Sequence, residues 1–262
     1  MVKYALCISG AIRTFPKSFF IDSIKILLNE IPNLDIFIVF KIQDKFNHYL
    51  NSVEGINSII KHLLYLKPKK IIFVDSFLNK DINSSSYSSQ LLLINKSINL
   101  ASHYSNYDFF IRYRPDFILE KLNLDFENLN ENIIYTTRKY DAKASDQVFM
   151  FSNKLKNIWW NKLNFFLETK RGPEYHIFNN LPKQFRVLNG PCFHGGLLRN
   201  EINQLHYWQY SGYNKTQKIK YKERYHLQIS EDTNFENKYK DMLLKKLNSH
   251  NFDFLYIDNL VV

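Results

Sequence analysis

The sequence predicts an α/β fold: a mostly parallel central sheet with flanking helices. Three observations lead there. Short apolar runs rich in β-formers recur at 4–9, 35–40, 70–74 and 109–111. The stretches between them carry apolar residues at helical spacing. Glycine, proline and serine mark the joints, at Gly10, Pro16, Pro68 and the 83–86 Asn-Ser-Ser-Ser run. Strands joined through helices pair in parallel with right-handed crossovers.

The first strand, 4–9, ends at Gly10. Ser9-Gly10-Ala11-Ile12-Arg13-Thr14 follows, then a helix from about Pro16 with Phe19, Phe20, Ile24, Leu27 and Leu28 as its apolar face. A strand, a glycine turn and a helix start form half of a nucleotide-binding βαβ unit, whose free amides, together with Arg13, suit an anion. Neither GxGxxG nor GxxxxGK[ST] occurs, so neither a dinucleotide fold nor a P-loop is supported, and a plain turn is the competing reading. A second strand at 35–40 precedes a helix over 53–66 with Ile56, Ile59, Ile60, Leu63 and Leu64, stopped by Pro68. A third strand at 70–74 leads through the serine loop to a helix over 87–104, whose stripe of Leu91, Leu92, Ile94, Ile98 and Leu100 reads as core.

Phe109-Phe110-Ile111 then forms a buried strand that delivers Arg112, Arg114 and Asp116 within five residues. Arg112 and Arg114 are two apart and share a side in extended chain. Pro115 cannot donate to a ladder, so pairing loosens at the carboxyl end of the strand, where open α/β sheets bind ligands. Two guanidiniums and a carboxylate there suit a phosphate-bearing ligand, or they form an Arg–Asp ion pair closing the strand.

Beyond residue 120 the alternation changes. Strands are expected at 133–136 and 147–151, with a polar loop at 138–145 that leads into Asp146, and then a helix containing Leu155, Ile158, Trp159, Leu163 and Phe166. Gly172-Pro173-Glu174-Tyr175 precedes a further helical segment broken at Pro182. The run 189–196 is read as a glycine-rich loop, holding three of the seven glycines and His194. An aromatic and basic tract runs over 206–224, and a final helix at 236–247 leads to a strand at 252–257.

With 262 residues, 45% hydrophobic and 16% aromatic, the chain can bury a substantial core, and one domain over 1–262 is expected. The formal charge of +10 favours anionic partners: nucleotides, nucleic acid or an anionic membrane surface. Cys7 and Cys192 lie far apart in apolar contexts, as buried thiols of a reducing compartment do. The apolar run at the amino terminus is short for a signal peptide and no 18-residue apolar span occurs, so a cytoplasmic location is expected, with a peripheral membrane contact compatible with the charge.

Three blocks, Cys7-Ile8-Ser9-Gly10-Ala11-Ile12-Arg13-Thr14, Phe110-Ile111-Arg112-Tyr113-Arg114-Pro115-Asp116 and Ser145-Asp146-Gln147-Val148-Phe149-Met150-Phe151, resemble small glycosyltransferases of surface-polysaccharide gene clusters and large DNA viruses, similar to the WavE-like lipopolysaccharide synthesis proteins. The likeness spans roughly 3–195. It implies a GT-A-like fold, a nucleotide-diphospho-sugar donor bound by the 1–120 half, a glycan or lipid-linked glycan acceptor bound by the 121–262 half, and Mn²⁺ or Mg²⁺. Asp116 would stand where that fold places the last acid of an Asp-x-Asp motif, as metal ligand. Arg114 replaces the first acid, and an arginine can itself neutralise a diphosphate.

Such a transfer needs charge aimed at the departing diphosphate and a base for the acceptor hydroxyl. Gly10, Arg13, Arg112, Arg114, Asp116 and His194 are the donor-side candidates, and Asp146 and Glu174 the candidate bases. Each has a plainer reading: a cap or turn for Asp146, helix-terminal charge for Glu174, a structural role for His194. Two other classes compete. One is a nucleic-acid-binding protein using the 206–224 tract, for which no recognised module is present, so no nucleic acid is expected. The other is a different group transferase on an α/β fold.

Overall fold

The structure is a computed structural model that describes residues 1–12, 15–42, 52–77, 86–137, 146–163, 177–178, 181–188, 192–201, 204–209 and 237–260, as backbone only at 86–87, 196–201 and 204–209. Its strands are β1 (Tyr4–Ala11), β2 (Leu34–Lys41), β3 (Lys70–Phe77), β4 (Phe109–Tyr113), β5 (Phe117–Leu122), β6 (Ile133–Thr136), β7 (Val148–Ser152), β8 (Arg186–Leu188), β9 (Phe193–Glu201), β10 (Gln204–Gln209) and β11 (Phe254–Leu260). The helices are α1 (Ser18–Glu30), α2 (Val53–Leu66), α3 (Ser86–Tyr104), α4 (Asn153–Ile158), a 3₁₀ turn at Trp160–Lys162, and α5 (Asn237–Ser249).

Eight strands form one sheet in the order β11-β3-β2-β1-β4-β7-β6-β8. β11, β3, β2, β1 and β4 are mutually parallel, and β7 runs against β4 and β6. The α/β expectation therefore holds. From β1 the chain steps outward to β2 and β3, then returns to lay β4 on the other side of β1. Right-handed crossovers must put the helices of those two directions on opposite faces. They do: α1, α2 and α5 pack with Leu6, Ile8, Ile38 and Ile111 on one face, and α3 and α4 with Cys7, Val39, Phe110 and Phe149 on the other. The strict alternation of Leu6/Cys7 and Phe110/Ile111 between two apolar layers is why these strands read as continuous hydrophobic runs.

Helix boundaries follow local chemistry. Ser52 caps α2 by accepting from the Gly55 N–H at 2.9 Å, and Lys67, at φ 48°, ends it one residue before Pro68. Ser152 caps α4 through the Leu155 N–H at 3.1 Å. That helix is shorter than its apolar pattern predicts, because Trp159 (φ −120°, ψ −59°) leaves helical geometry and the 3₁₀ turn follows. Trp159 and Trp160 instead pack their rings on Phe151.

The larger correction concerns 189–196. Gly195 and Gly196 belong to β9, the centre of a second, three-stranded antiparallel sheet in the order β10-β9-β5. A Cβ at Gly195 would lie 1.9 Å from the Ile118 carbonyl oxygen, so glycine is what allows β9 to approach β5. The expected segments at 164–176 and 210–236, and the polar loop at 138–145, lie outside the described residues.

Candidate functional site at the carboxyl ends of β1 and β4

The strand order reverses at β1/β4, and open α/β sheets take ligands beyond the carboxyl ends of the strands at such a position. Gly10 lies near the end of β1, with φ +132°, a conformation that side-chain-bearing residues rarely adopt. Its missing Cβ would stand 3.8 Å from Pro115 Cδ and 4.0 Å from Arg112 Nη2, so β1 and β4 bring Gly10 and Arg112 close together. Beyond Gly10 the Phe15 N–H donates to the Ile12 carbonyl at 2.8 Å. Arg13 itself lies outside the described residues, as does Glu174.

Arg112 is fully buried and points to the α3 face, in register with Cys7 and Phe149. Its Nη1 donates to the Tyr113 carbonyl, while Nε and Nη2 have no hydrogen-bond partner among the described residues. Burial pulls the pKa down to about 9, against the opposing pull of Asp146, so the group is cationic at neutral pH. Asp146, 2% exposed just ahead of β7, accepts from the Gln90 amide of α3. On the same face Ser97 donates to Ser9 at 3.2 Å. Gln90 and Ser97 are seven residues apart on the core side of α3. Their polarity within that stripe was the sequence signal for a buried polar site, and a reading of the helix as pure core passes over it.

Arg114 and Asp116 sit at the turn after β4. Pro115 occupies the second position of a β-turn closed by the Phe117 N–H on the Arg114 carbonyl at 3.0 Å, and this turn carries the chain from the first sheet into the second. Arg114 Nη2 donates to Asp116 Oδ2 at 3.1 Å, and Nε stands 2.6 Å from Oδ1, a charge contact rather than an aligned hydrogen bond. Both are buried, Arg114 8% and Asp116 1% exposed. The ion-pair reading of this stretch is thus present in the structure, and two arginines and two aspartates make a formally neutral cluster.

That pairing bears on a metal. Asp116 faces a guanidinium, and among the described residues no three His, Cys, Asp or Glu side chains are grouped to hold a metal ion. A Mn²⁺ or Mg²⁺ ion at Asp116 would compete there with the Arg114 guanidinium.

His194 is elsewhere. In β9 it pairs with Lys121 across the sheet, with Nδ1 3.3 Å from Glu120 Oε2. Glu120 is the extra residue of a bulge between Leu119 and Lys121, which aims it at His194. Phe117, which opens β5 at the turn, is four residues away, roughly 14 Å of strand. His194 therefore does not join the arginine cluster through any described contact. The two cysteines are free and buried, as expected, with burial raising the Cys7 thiol. No described helix is long and apolar enough to cross a membrane.

No protein-family model and no curated protein matches the sequence. Among solved structures, the apo form of the glycosyltransferase GlyE of Streptococcus pneumoniae TIGR4 overlaps 72% of this chain at 15% identity and a TM-score of 0.39, and a second GlyE structure does so at 13% and 0.39. This chain spans 46% and 45% of those two chains, less than half their length. A glycosyltransferase involved in glycosylation of the major capsid of PBCV-1 overlaps 72% of this chain and 85% of its own, at 10% identity and a TM-score of 0.37.

Proposed function

We propose that the chain is a GT-A-like glycosyltransferase moving a sugar from a nucleotide-diphosphate donor to a glycan or lipid-linked glycan acceptor, in surface-polysaccharide, lipopolysaccharide or viral glycan synthesis. The observation that supports it is the gathering of Gly10, Arg112, Arg114, Asp116 and Asp146 at the β1/β4 switch in strand order. The three sequence blocks that resemble surface-polysaccharide glycosyltransferases converge on this point, and they supply the reaction class.

In this reading the donor diphosphate is met by fixed cations. Arg114 is the cation of the cluster with access to solvent, and a phosphate takes its fork in place of Asp116. Arg112 lies beneath, held by Asp146, and contributes charge through a medium of low polarity, where it acts strongly. Arg13, in the β1–α1 turn, is the third cation, and Gly10 leaves the strand end free of a side chain. Glu174 is the base for the acceptor hydroxyl, with Asp146 as charge partner of Arg112. His194, with Glu120, serves the acceptor half at 121–262 within a single domain. No step is routed through a metal. The positive net charge suits a peripheral contact with an anionic membrane.

The test is thermal shift against UDP, GDP and other nucleoside diphosphates, each with and without Mn²⁺, since a ligand of the native state raises stability by about 2.7 kcal/mol at a hundred times its Kd. A metal-independent rise with at least one nucleotide is the expected result. A rise that requires Mn²⁺ would restore Asp116 as ligand. No rise with any of them overturns the reading and favours nucleic-acid binding.

A further inference from the structure

Arg112 and Arg114 meet opposite circumstances along the same edge of the guanidinium. On that planar group Nε–H and Nη2–H lie side by side and match the two oxygens of a carboxylate or a phosphate. Arg114 presents this edge to both oxygens of Asp116. On Arg112 the same two atoms are fully buried and have no hydrogen-bond partner among the described residues. The bond from Nη1 to the Tyr113 carbonyl leaves the edge open. Buried donors without an acceptor are costly, and those of a cation more so, which makes an open edge on a buried arginine a feature to be accounted for.

An acceptor of the right kind is close by and turned elsewhere. Burial disfavours the Arg112 cation, and of the carboxylates that offset this Asp146 does most, ahead of Asp116. Asp146 nevertheless makes no hydrogen bond to the guanidinium. Its Oδ2 accepts from the side-chain amide of Gln90 on α3 instead. Gln90 and Arg112 are thus rivals for one buried carboxylate. A guanidinium is the stronger partner, because it is charged and forked. Without the amide, Asp146 is drawn onto Arg112 and fills its edge. At the Nη2 end the place of a Gly10 Cβ lies 4.0 Å away, and glycine keeps that end clear of a side chain.

From this geometry we infer that Gln90 is a positioning residue: it holds Asp146 off Arg112 and so keeps the Nε/Nη2 edge open for a bidentate oxyanion. The oxyanion half rests on the diphosphate donor of the proposed function, and the hold on Asp146 does not. Urea unfolding of the wild type, Gln90→Leu, Asp146→Asn and the double variant tests the hold. Leucine is a strong helix former, so α3 is retained. Asp146→Asn should lower the urea midpoint more in the Gln90→Leu background than in the wild type, because there the carboxylate has taken Arg112. A glutamine that merely ties α3 to β7 gives the reverse, since a carboxylate already deprived of its amide has less to lose. An equal or smaller loss therefore overturns the hold. Calorimetric titration with inorganic pyrophosphate and with UDP tests the edge. Pyrophosphate affinity should fall about tenfold in Gln90→Leu, and by clearly less when Gln90→Leu is added to Asp146→Asn. A fall of the same size in both backgrounds, or none in either, overturns the edge as the binding group. Pyrophosphate binding with this pattern but no affinity for UDP or any other nucleotide upholds the inference and refutes the nucleotide-sugar reading. A wild type that binds neither ligand overturns the oxyanion half, whatever the urea series gives.

Discussion

Arg114 and Asp116 face each other across a single proline, with Nε 2.6 Å from Oδ1 and Nη2 3.1 Å from Oδ2, and neither is more than 8% exposed. The turn that changes sheets is thus closed twice, by backbone and by charge. Removing one partner takes from the other its nearest opposite charge in a buried site. Asp116→Ala should therefore lower stability by about 3–5 kcal/mol, in addition to any loss of turnover. Arg114→Met combined with Asp116→Ala should lose clearly less than the sum of the single changes. Urea unfolding of the four proteins checks this. Additive losses would mean that the pair is not coupled.

Two glycines should fail for different reasons. Gly195→Ala sets a methyl 1.9 Å from the Ile118 backbone oxygen, which cannot swing aside as a flexible side chain can. The expected loss is at or above the upper end of the roughly 1–3 kcal/mol seen for overpacking, with β5 and β9 the strands that separate. Gly10→Ala has room, with nothing nearer than 3.8 Å, but a φ of +132° that alanine resists. Its loss should be about 1–3 kcal/mol, without separation of β5 from β9. Denaturant melts with hydrogen exchange of β5 distinguish the two outcomes.

Much of this was legible in the residues, for a definable reason. β1 to β4 are buried on both faces, so their apolar runs are unbroken and each is bounded by glycine, proline or serine. The helix over 53–66 was legible from its apolar spacing and from Pro68, while its Ser52 cap came from the structure. The second sheet was not legible. Gly195 and Gly196 look like a loop because strand propensity disfavours glycine, and the reason they stand in a strand, the approach of Ile118, is a contact seventy-seven residues back in the chain. The arginine-rich turn could be read as ligand site or ion pair, since sequence gives the residue types and not the 2.6 Å between them. Asp146 and Gln90 meet only because β7 lies antiparallel beside β4 beneath α3, a long-range result.

The last prediction follows from His62 and is one of pH. Burial holds its pKa below the ordinary 6.5, with the nearby Lys61 charge acting in the same direction and the bond to the Phe15 carbonyl opposing both. Phe15 and Phe20 pack against the ring and supply no charge to offset a proton, and Tyr113, edge-on to Phe20, has its hydroxyl donated to the Phe117 carbonyl. In the unfolded chain the imidazole titrates near 6.5. Between that value and the lower folded one, the unfolded state holds a proton that the native state lacks, so stability rises with pH there and is lost as pH falls. The contribution is fully present above about 6.5 and declines toward the folded pKa. His62→Asn keeps the donor but cannot titrate. Its stability relative to the wild type should therefore stay level from pH 7.5 to about 6.5 and improve as the pH is lowered from there to about 5, whatever the other seven histidines do in both proteins. Urea midpoints of the two proteins at half-unit intervals measure this difference, and a difference independent of pH would show that the buried imidazole gains its proton as readily in the native state as in the unfolded chain.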